Sequence, residues 1–198
     1  MHDVPFHSLV ADWFRQTFAG PTAIQAEGWR HIAAGLDTLI AAPTGSGTTL
    51  AAFLWTLNDL VERGLDGRLE DRIHAVYVSP LKALGNDIHK NLQAPLAGIV
   101  AAAEARGTPL PDIRVAVRSG DTPARERALQ IKHPPHILIT TPESLYILLT
   151  AERSRALLRD ASTVIVDEIH AVAADKRGAA RGADQQPRDL VDRLLGRR

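Results

Sequence analysis

The sequence predicts an α/β fold: a mostly parallel sheet with helices on both faces. Three observations predict it. Short, nearly continuous apolar runs alternate with longer helical stretches; a glycine-rich turn joins one such run to an apolar helix; two adjacent carboxylates close the last run. Continuous rather than alternating hydrophobicity fits strands covered on both faces, which is the pattern of parallel sheets built from strand–helix–strand units.

The predicted strands are Thr38 to Ala42, His74 to Ser79, Arg114 to Ser119, His136 to Thr141 and Thr163 to Asp167. The predicted helices run from about Thr22 to Ala34, Thr49 to Arg63, Leu81 to Ala105, Pro123 to Ile131 and Pro142 to Thr150. Gly64 to Asp71 and Gly107 to Pro111 read as turn and loop. Trp13, Trp29 and Trp55 sit in helical stretches and are expected in the core. His31, His74, His89 and His133 lack metal-ligand spacing and read as surface or structural residues.

Bulk composition bounds the rest. At 198 residues, 45% hydrophobic and 23% charged, the chain suits one globular domain. It has no cysteine, which rules out disulfides and thiolate metal sites and suits a cytoplasmic setting. The N-terminus lacks the basic and apolar regions of a signal peptide, and no apolar run approaches the roughly 20 residues that span a bilayer. A net charge of zero neither supports nor excludes a nucleic-acid partner, because a groove on a neutral protein can be basic. Aromatic content of 5% argues against a base-stacking surface.

Ala42-Pro43-Thr44-Gly45-Ser46-Gly47-Thr48-Thr49 has the form of a phosphate-binding loop. Between a strand and a helix, a glycine-rich turn aims backbone N–H groups at phosphate oxygens, and the helix N-terminus adds its partial positive charge. The pattern calls for Gly-Lys-Ser/Thr, and this chain reads Gly47-Thr48-Thr49. The cation that touches the outer phosphates is replaced by a neutral side chain.

Val164-Ile165-Val166-Asp167-Glu168-Ile169-His170 places two carboxylates at the carboxyl end of a buried strand, the edge where ligands sit in open α/β sheets. Asp167 is assigned to Mg²⁺ and Glu168 to the attacking water. Without the phosphate loop upstream, the pair reads simply as solvated charges ending a strand. Thr22 caps the first predicted helix and Gln25 lies one turn on. A Gln amide pairs bidentately with an adenine edge, and Phe18 is placed to pack on the base. Ser79-Pro80, Thr122-Pro123 and Thr141-Pro142 each follow a strand and open a helix. One such pair is only a common helix start. Three along one sheet edge, each helix capped by the hydroxyl of Ser79, Thr122 or Thr141 and with Lys82 in a first turn, form a row of anion sites fit for the phosphates of a nucleic-acid strand.

Taken in order, Phe-x-x-Pro-Thr-x-x-Gln, Ala-Pro-Thr-Gly-Ser-Gly, Ser-Pro-Leu-Lys-Ala-Leu, Gly-Asp-Thr, Thr-Thr-Pro-Glu-Ser-Leu and Asp-Glu-Ile-His resemble the motifs of superfamily 2 DEAD/DEAH-box-type helicases. The phrases Tyr77 to Leu84, Arg118 to Thr122 and Lys176 to Gly178 look like the large helicase-related (Lhr) family. The resemblance covers Phe18 to Gly178. It implies a RecA-like P-loop NTPase domain over residues 1–178, ATP and Mg²⁺ as cofactors, and single-stranded or partly duplex DNA as partner, with RNA possible. It implies these roles: Thr44, Gly45, Ser46, Gly47, Thr48 and Thr49 at the phosphates, Thr49 and Asp167 at the metal, Glu168 at water, Gln25 at adenine, and Ser79, Lys82, Thr122 and Thr141 on the strand.

The chain departs from that family at Thr48. After Gly178 it also turns polar where the family continues into an apolar helix, so residues 179–198 are expected to be a disordered or aberrant tail. A fragment, a pseudogene product or a frameshift each accounts for it. The second RecA-like domain is expected outside this chain. Two functional readings remain open: a helicase's first motor domain, impaired by Thr48, or a catalytically inactive nucleic-acid-binding module. A restriction-type translocase shares the early motifs, but the Lhr-like phrases argue against it.

Overall fold

The computed structural model describes residues 5–43, 46–80 and 88–168. The expected tail, Ile169 and His170, and the sequence-assigned Thr44, Gly45 and Lys82 lie outside them. The chain groups into two compact units, Met1–Leu69 with Gly85–Asp112, and Glu70–Leu84 with Ile113–Arg198.

The first unit is helical among its described residues: α1 (Ser8–Thr17), α2 (Ala23–Ala33), α3 (Thr48–Leu65), a π-helical turn (His89–Gln93) and α4 (Ala94–Ala105). Thr22 and Gln25 form a capping box at the start of α2, which satisfies two of the N–H groups a helix start leaves open. Helix α1 starts on an unusual cap: His7 Nδ1 accepts from Leu9 N–H at 3.3 Å. The core is built on Trp29, whose ring is met edge-on by Phe6 and Phe14 at centroid distances of 4.9 and 5.5 Å. Its indole N–H donates to Ala51 O at 2.9 Å, tying α2 to α3. Buried aromatics dominate core energetics once the polar tip finds a partner. Trp29 is buried as expected, whereas Trp13 and Trp55 are only half-buried.

The second unit holds a four-stranded parallel sheet of β1 (Ala75–Val78), β2 (Val115–Arg118), β3 (Ile137–Thr140) and β4 (Thr163–Val166), in the spatial order β2-β3-β1-β4. Val78 pairs with both Thr140 and Val166, and Arg118 pairs with Thr140. The carboxyl ends of all four strands are therefore level. Helices α5 (Ala124–Lys132), α6 (Pro142–Thr150) and α7 (Glu152–Leu158) belong to this unit. Leu145 and Leu148 of α6 and Leu158 of α7 pack on Val76, Val78 and Leu138. Strands β1 and β3 are buried at every position, the doubly covered state that their unbroken apolar runs call for.

Two expectations are corrected. Thr38 to Ala42 forms no strand; the sheet has four strands among the described residues rather than five. Its burial alternates, Leu39 is 70% exposed, and Ile40 turns to α2. A Cβ on Gly28 would lie 2.8 Å from Ile40 Cδ1. An apolar run becomes a strand only when a neighbour takes its backbone hydrogen bonds, and among the described residues 38–42 pair with none of the four strands. Thr122 does not cap α5. The cap position is Pro123, which has no polar side chain to offer, and Thr122 Oγ1 accepts from Ser119 N–H at 2.9 Å. No helix among the described residues is long and apolar enough to cross a membrane.

Candidate functional site

The phosphate-loop residues lie in the first unit. Ser46 N–H and hydroxyl both donate to Pro43 O, at 3.2 and 2.6 Å. Gly47 follows with φ +79°, left-handed backbone that glycine enters without cost. It opens α3 with no side chain capping the helix. The amino end of an 18-residue helix thus carries the positive pole of its dipole and N–H groups without a capping side chain, with Thr48 and Thr49 as its first residues.

Gln25 is fastened to this helix start. Its Oε1 accepts from Thr22 N–H at 3.0 Å, and its Nε2 donates to Gly47 O at 3.2 Å. That carbonyl also accepts from Ala51 N–H. Gln25 is 4% exposed. A Gln amide has two N–H donors and two acceptor lone pairs, so one of each remains beyond these bonds. Thr22 Oγ1 adds a bond to Ser46 O at 3.4 Å. Phe18 is exposed at the margin of the ring cluster, 4.8 Å from Phe14 by centroids.

The carboxylate pair lies in the second unit. Asp167 N–H donates to Val78 O at 2.9 Å, carrying the β1–β4 ladder one residue past the strand. One carboxylate oxygen accepts from the Tyr77 hydroxyl at 2.6 Å and the other from Glu168 N–H at 2.9 Å. Glu168 is exposed and has φ +50°. A non-glycine residue in the left-handed region costs about 1–2 kcal/mol, and such strain concentrates at functional sites.

Ser79 and Thr141 follow β1 and β3 on the same edge. Both are buried. Ser79 N–H donates to Thr140 O at 3.1 Å. Thr141 caps α6, accepting from Ser144 N–H at 3.3 Å and donating to Ser144 Oγ at 3.2 Å. The loop after β2 is held by α5: Arg127 donates to Thr122 O at 2.8 Å and to Gly120 O at 2.7 Å. Arg118, half-buried on β2, is pushed below the ordinary guanidinium range by burial and then by the charge of Arg127. Sequence reasoning missed Tyr77 and Arg127. The signal for Tyr77 was a lone aromatic in an otherwise aliphatic strand; for Arg127 there was none.

Ser79, Thr141 and Asp167 share one sheet edge in one unit; Gln25, Ser46, Gly47, Thr48 and Thr49 gather at one helix start in the other. A level carboxyl edge of parallel strands and a glycine-turned, uncapped helix start define a RecA-like α/β domain of the phosphate-loop class. A model of the DEAD/DEAH box helicase family matches residues 22–184, and the chain belongs to that family.

The chain is 51% identical over 174 residues to the Lhr helicase/probable uracil glycosylase of Mycolicibacterium smegmatis, covering 88% of this chain and 11% of that one. It is 50% identical over 169 residues to the ATP-dependent helicase Lhr-Core protein 2 of Thermococcus barophilus, covering 85% and 20%. Among solved structures, the Mycobacterium smegmatis helicase Lhr bound to ssDNA and AMP-PNP gives a TM-score of 0.79 at 51% identity, over 88% of this chain and 22% of that one. The DEAD-box helicase Mss116 bound to ssRNA and UDP-BeF gives 0.66 at 20% identity, over 89% and 34%, a likeness of fold alone. The chain spans about a tenth to a fifth of the length of these two curated relatives.

Proposed function

We propose that this chain is the first motor domain of an Lhr-type ATP-dependent DNA helicase, binding ATP with Mg²⁺ and a single nucleic-acid strand, with turnover weakened by Thr48. The observation that carries the reading is the amino end of α3: a left-handed Gly47 and no capping side chain, the arrangement that binds phosphate through backbone N–H groups. Likeness to an Lhr helicase whose structure holds ssDNA and AMP-PNP supports it.

Gly45, Ser46 and Gly47 cradle the phosphates with Thr44. Gln25 offers its remaining N–H and lone pair to the adenine edge while its other bonds hold it to Thr22 and Gly47. Mg²⁺ is held through one or two carboxylates plus substrate phosphates, and an aspartate with both oxygens already oriented by hydrogen bonds fits that demand. The resemblance assigns Thr49 and Asp167 to the ion, which when bound would neutralise charge on the phosphoryl oxygens. Glu168 orients the attacking water. The strand contacts run along the carboxyl edge at Ser79, Lys82, Thr122 and Thr141. These contacts go to phosphates rather than to base edges, so base sequence is read little.

Thr48 favours a second reading, a module that binds nucleic acid or nucleotide weakly and turns nothing over. The lysine it replaces makes charge-assisted bonds to phosphate, worth about 1.5–3 kcal/mol. Thr48→Lys is therefore expected to tighten nucleotide binding by roughly ten- to a hundredfold. Phosphate release, with and without single-stranded DNA, is measured for the parent, Thr48→Lys, Glu168→Gln and the double variant. The motor reading expects turnover to appear in the Thr48→Lys variant and to vanish when Glu168→Gln is added, while Glu168→Gln alone changes little. An equal fold-loss from Glu168→Gln in both backgrounds refutes the assigned roles. No turnover in any of the four favours the module.

A further inference from the structure

We propose that Tyr77 is a positioning residue for Asp167: its hydroxyl fixes the carboxylate in the orientation that receives the divalent cation. The inference rests on the assignment of Asp167 to the cation made above.

Tyr77 pairs with Ile165 in the β1–β4 register. Side chains two residues apart on a strand share a face, so Asp167 projects on the same face as Tyr77, one diagonal step towards the ligand edge. The phenol spans that step, and its hydroxyl donates to Asp167 Oδ2 at 2.6 Å. The donor is fully buried while the acceptor is half-buried at the rim. The bond therefore reaches from the packed interior out to the site. Glu168 N–H holds the other oxygen, Oδ1, at 2.9 Å. With a hydrogen bond on each oxygen, the plane of the group is set. Hydrogen-bond partners of a ligating group commonly govern its metal affinity in this way.

The neighbouring residues of β1 sharpen the point. Ala75, Val76 and Val78 are aliphatic and buried, so nothing in the packing of this strand calls for a polar tip. Phenylalanine would fill the same space without one. A purely structural account holds that a buried phenol needs some acceptor and Asp167 supplies it. That account predicts that losing the hydroxyl alters stability and leaves cation binding unchanged.

The two accounts separate by experiment. Mn²⁺ binding in the presence of fixed ADP is followed by loss of the free-ion electron paramagnetic resonance signal for the parent, Tyr77→Phe and Asp167→Asn. Positioning expects Tyr77→Phe to weaken Mn²⁺ by about tenfold and Asp167→Asn by at least as much. A second readout does not depend on the variant folding. The chain has two tyrosines, Tyr77 and the exposed Tyr146. In 3-fluorotyrosine-labelled protein, with Tyr146→Phe assigning the signals, the Tyr77 ¹⁹F resonance should move when Mg²⁺ is added to the ADP-containing sample and Tyr146 should stay. Equal Mn²⁺ affinity in parent and Tyr77→Phe, or a Tyr77 resonance indifferent to Mg²⁺, overturns the proposal. If Asp167→Asn weakens Mn²⁺ and Tyr77→Phe does not, the positioning role alone falls. If neither weakens it, the assignment of Asp167 falls as well.

Discussion

Replacing Gly47 by alanine tests the coupling between the phosphate loop and Gln25. Two costs arise from the geometry. The backbone at Gly47 has φ +79°, and an L-residue there costs about 1–2 kcal/mol. The new Cβ would also stand 2.4 Å from Gln25 Nε2 and 3.3 Å from its Cδ. The amide must swing away, losing its bonds to Gly47 O and Thr22 N. Each is worth about 0.5–1.5 kcal/mol net, so Gly47→Ala should destabilise the fold by about 2–5 kcal/mol. In a Gln25→Ala background the clash is gone and both bonds are already absent. There Gly47→Ala should cost only the backbone strain, about 1–2 kcal/mol. Urea unfolding of the four proteins gives the coupling, expected at about 1–3 kcal/mol from the two shared bonds. Single effects that sum to the double within about 0.5 kcal/mol, as independent sites do, would show that the steric and hydrogen-bond reasoning is wrong.

Gly98 on α4 faces α1, and a Cβ there would lie 2.2 Å from Trp13 Nε1. Gly98→Ala should lower stability by about 1–3 kcal/mol through overpacking, although alanine is the better helix former; a rise in melting temperature would refute the packing. Asp71 accepts a hydrogen bond from Arg114 at 2.7 Å, and that bond, followed by the Arg114 charge, holds its carboxyl below the ordinary aspartate range. The folded-state value is depressed, so the contribution is in place above the unfolded-state value and is lost as pH falls through the folded one. Asp71→Asn should therefore carry a small penalty at neutral pH that fades in acid, and unfolding curves with a pH-independent penalty would exclude this pair as its source.

Much of this architecture was legible because local chemistry and tertiary context agree. Helix α6 spans Pro142–Thr150 as expected: Thr141 caps it, Pro142 presets its first turn, and Leu145 and Leu148 meet the sheet. The strands after His74, Arg114, His136 and Ser162 were visible as unbroken apolar runs. Thr38 to Ala42 carried the same signal and failed, since periodicity cannot say whether a neighbour will complete the ladder. Helix α7 was not foreseen and α1 only as a helical stretch around Trp13, without bounds: one has no side-chain cap and the other starts on a histidine ring nitrogen. The π-helical turn at His89–Gln93 leaves no compositional mark. Within the candidate site, residue types were readable and their partners were not. Nothing in sequence spacing links Gln25 to Gly47 or Tyr77 to Asp167, because each bond crosses from one element to another.

The left-handed backbone at Glu168 has a consequence for anyone improving this protein by selection. A glycine there would relieve the strain, so a search for heat-resistant variants is expected to favour Glu168→Gly, with a gain of up to about 1–2 kcal/mol. That variant would discard the carboxylate assigned to water. On that assignment robustness and turnover draw residue 168 towards different amino acids, and a library ranked on melting temperature alone would enrich chains that lack the carboxylate.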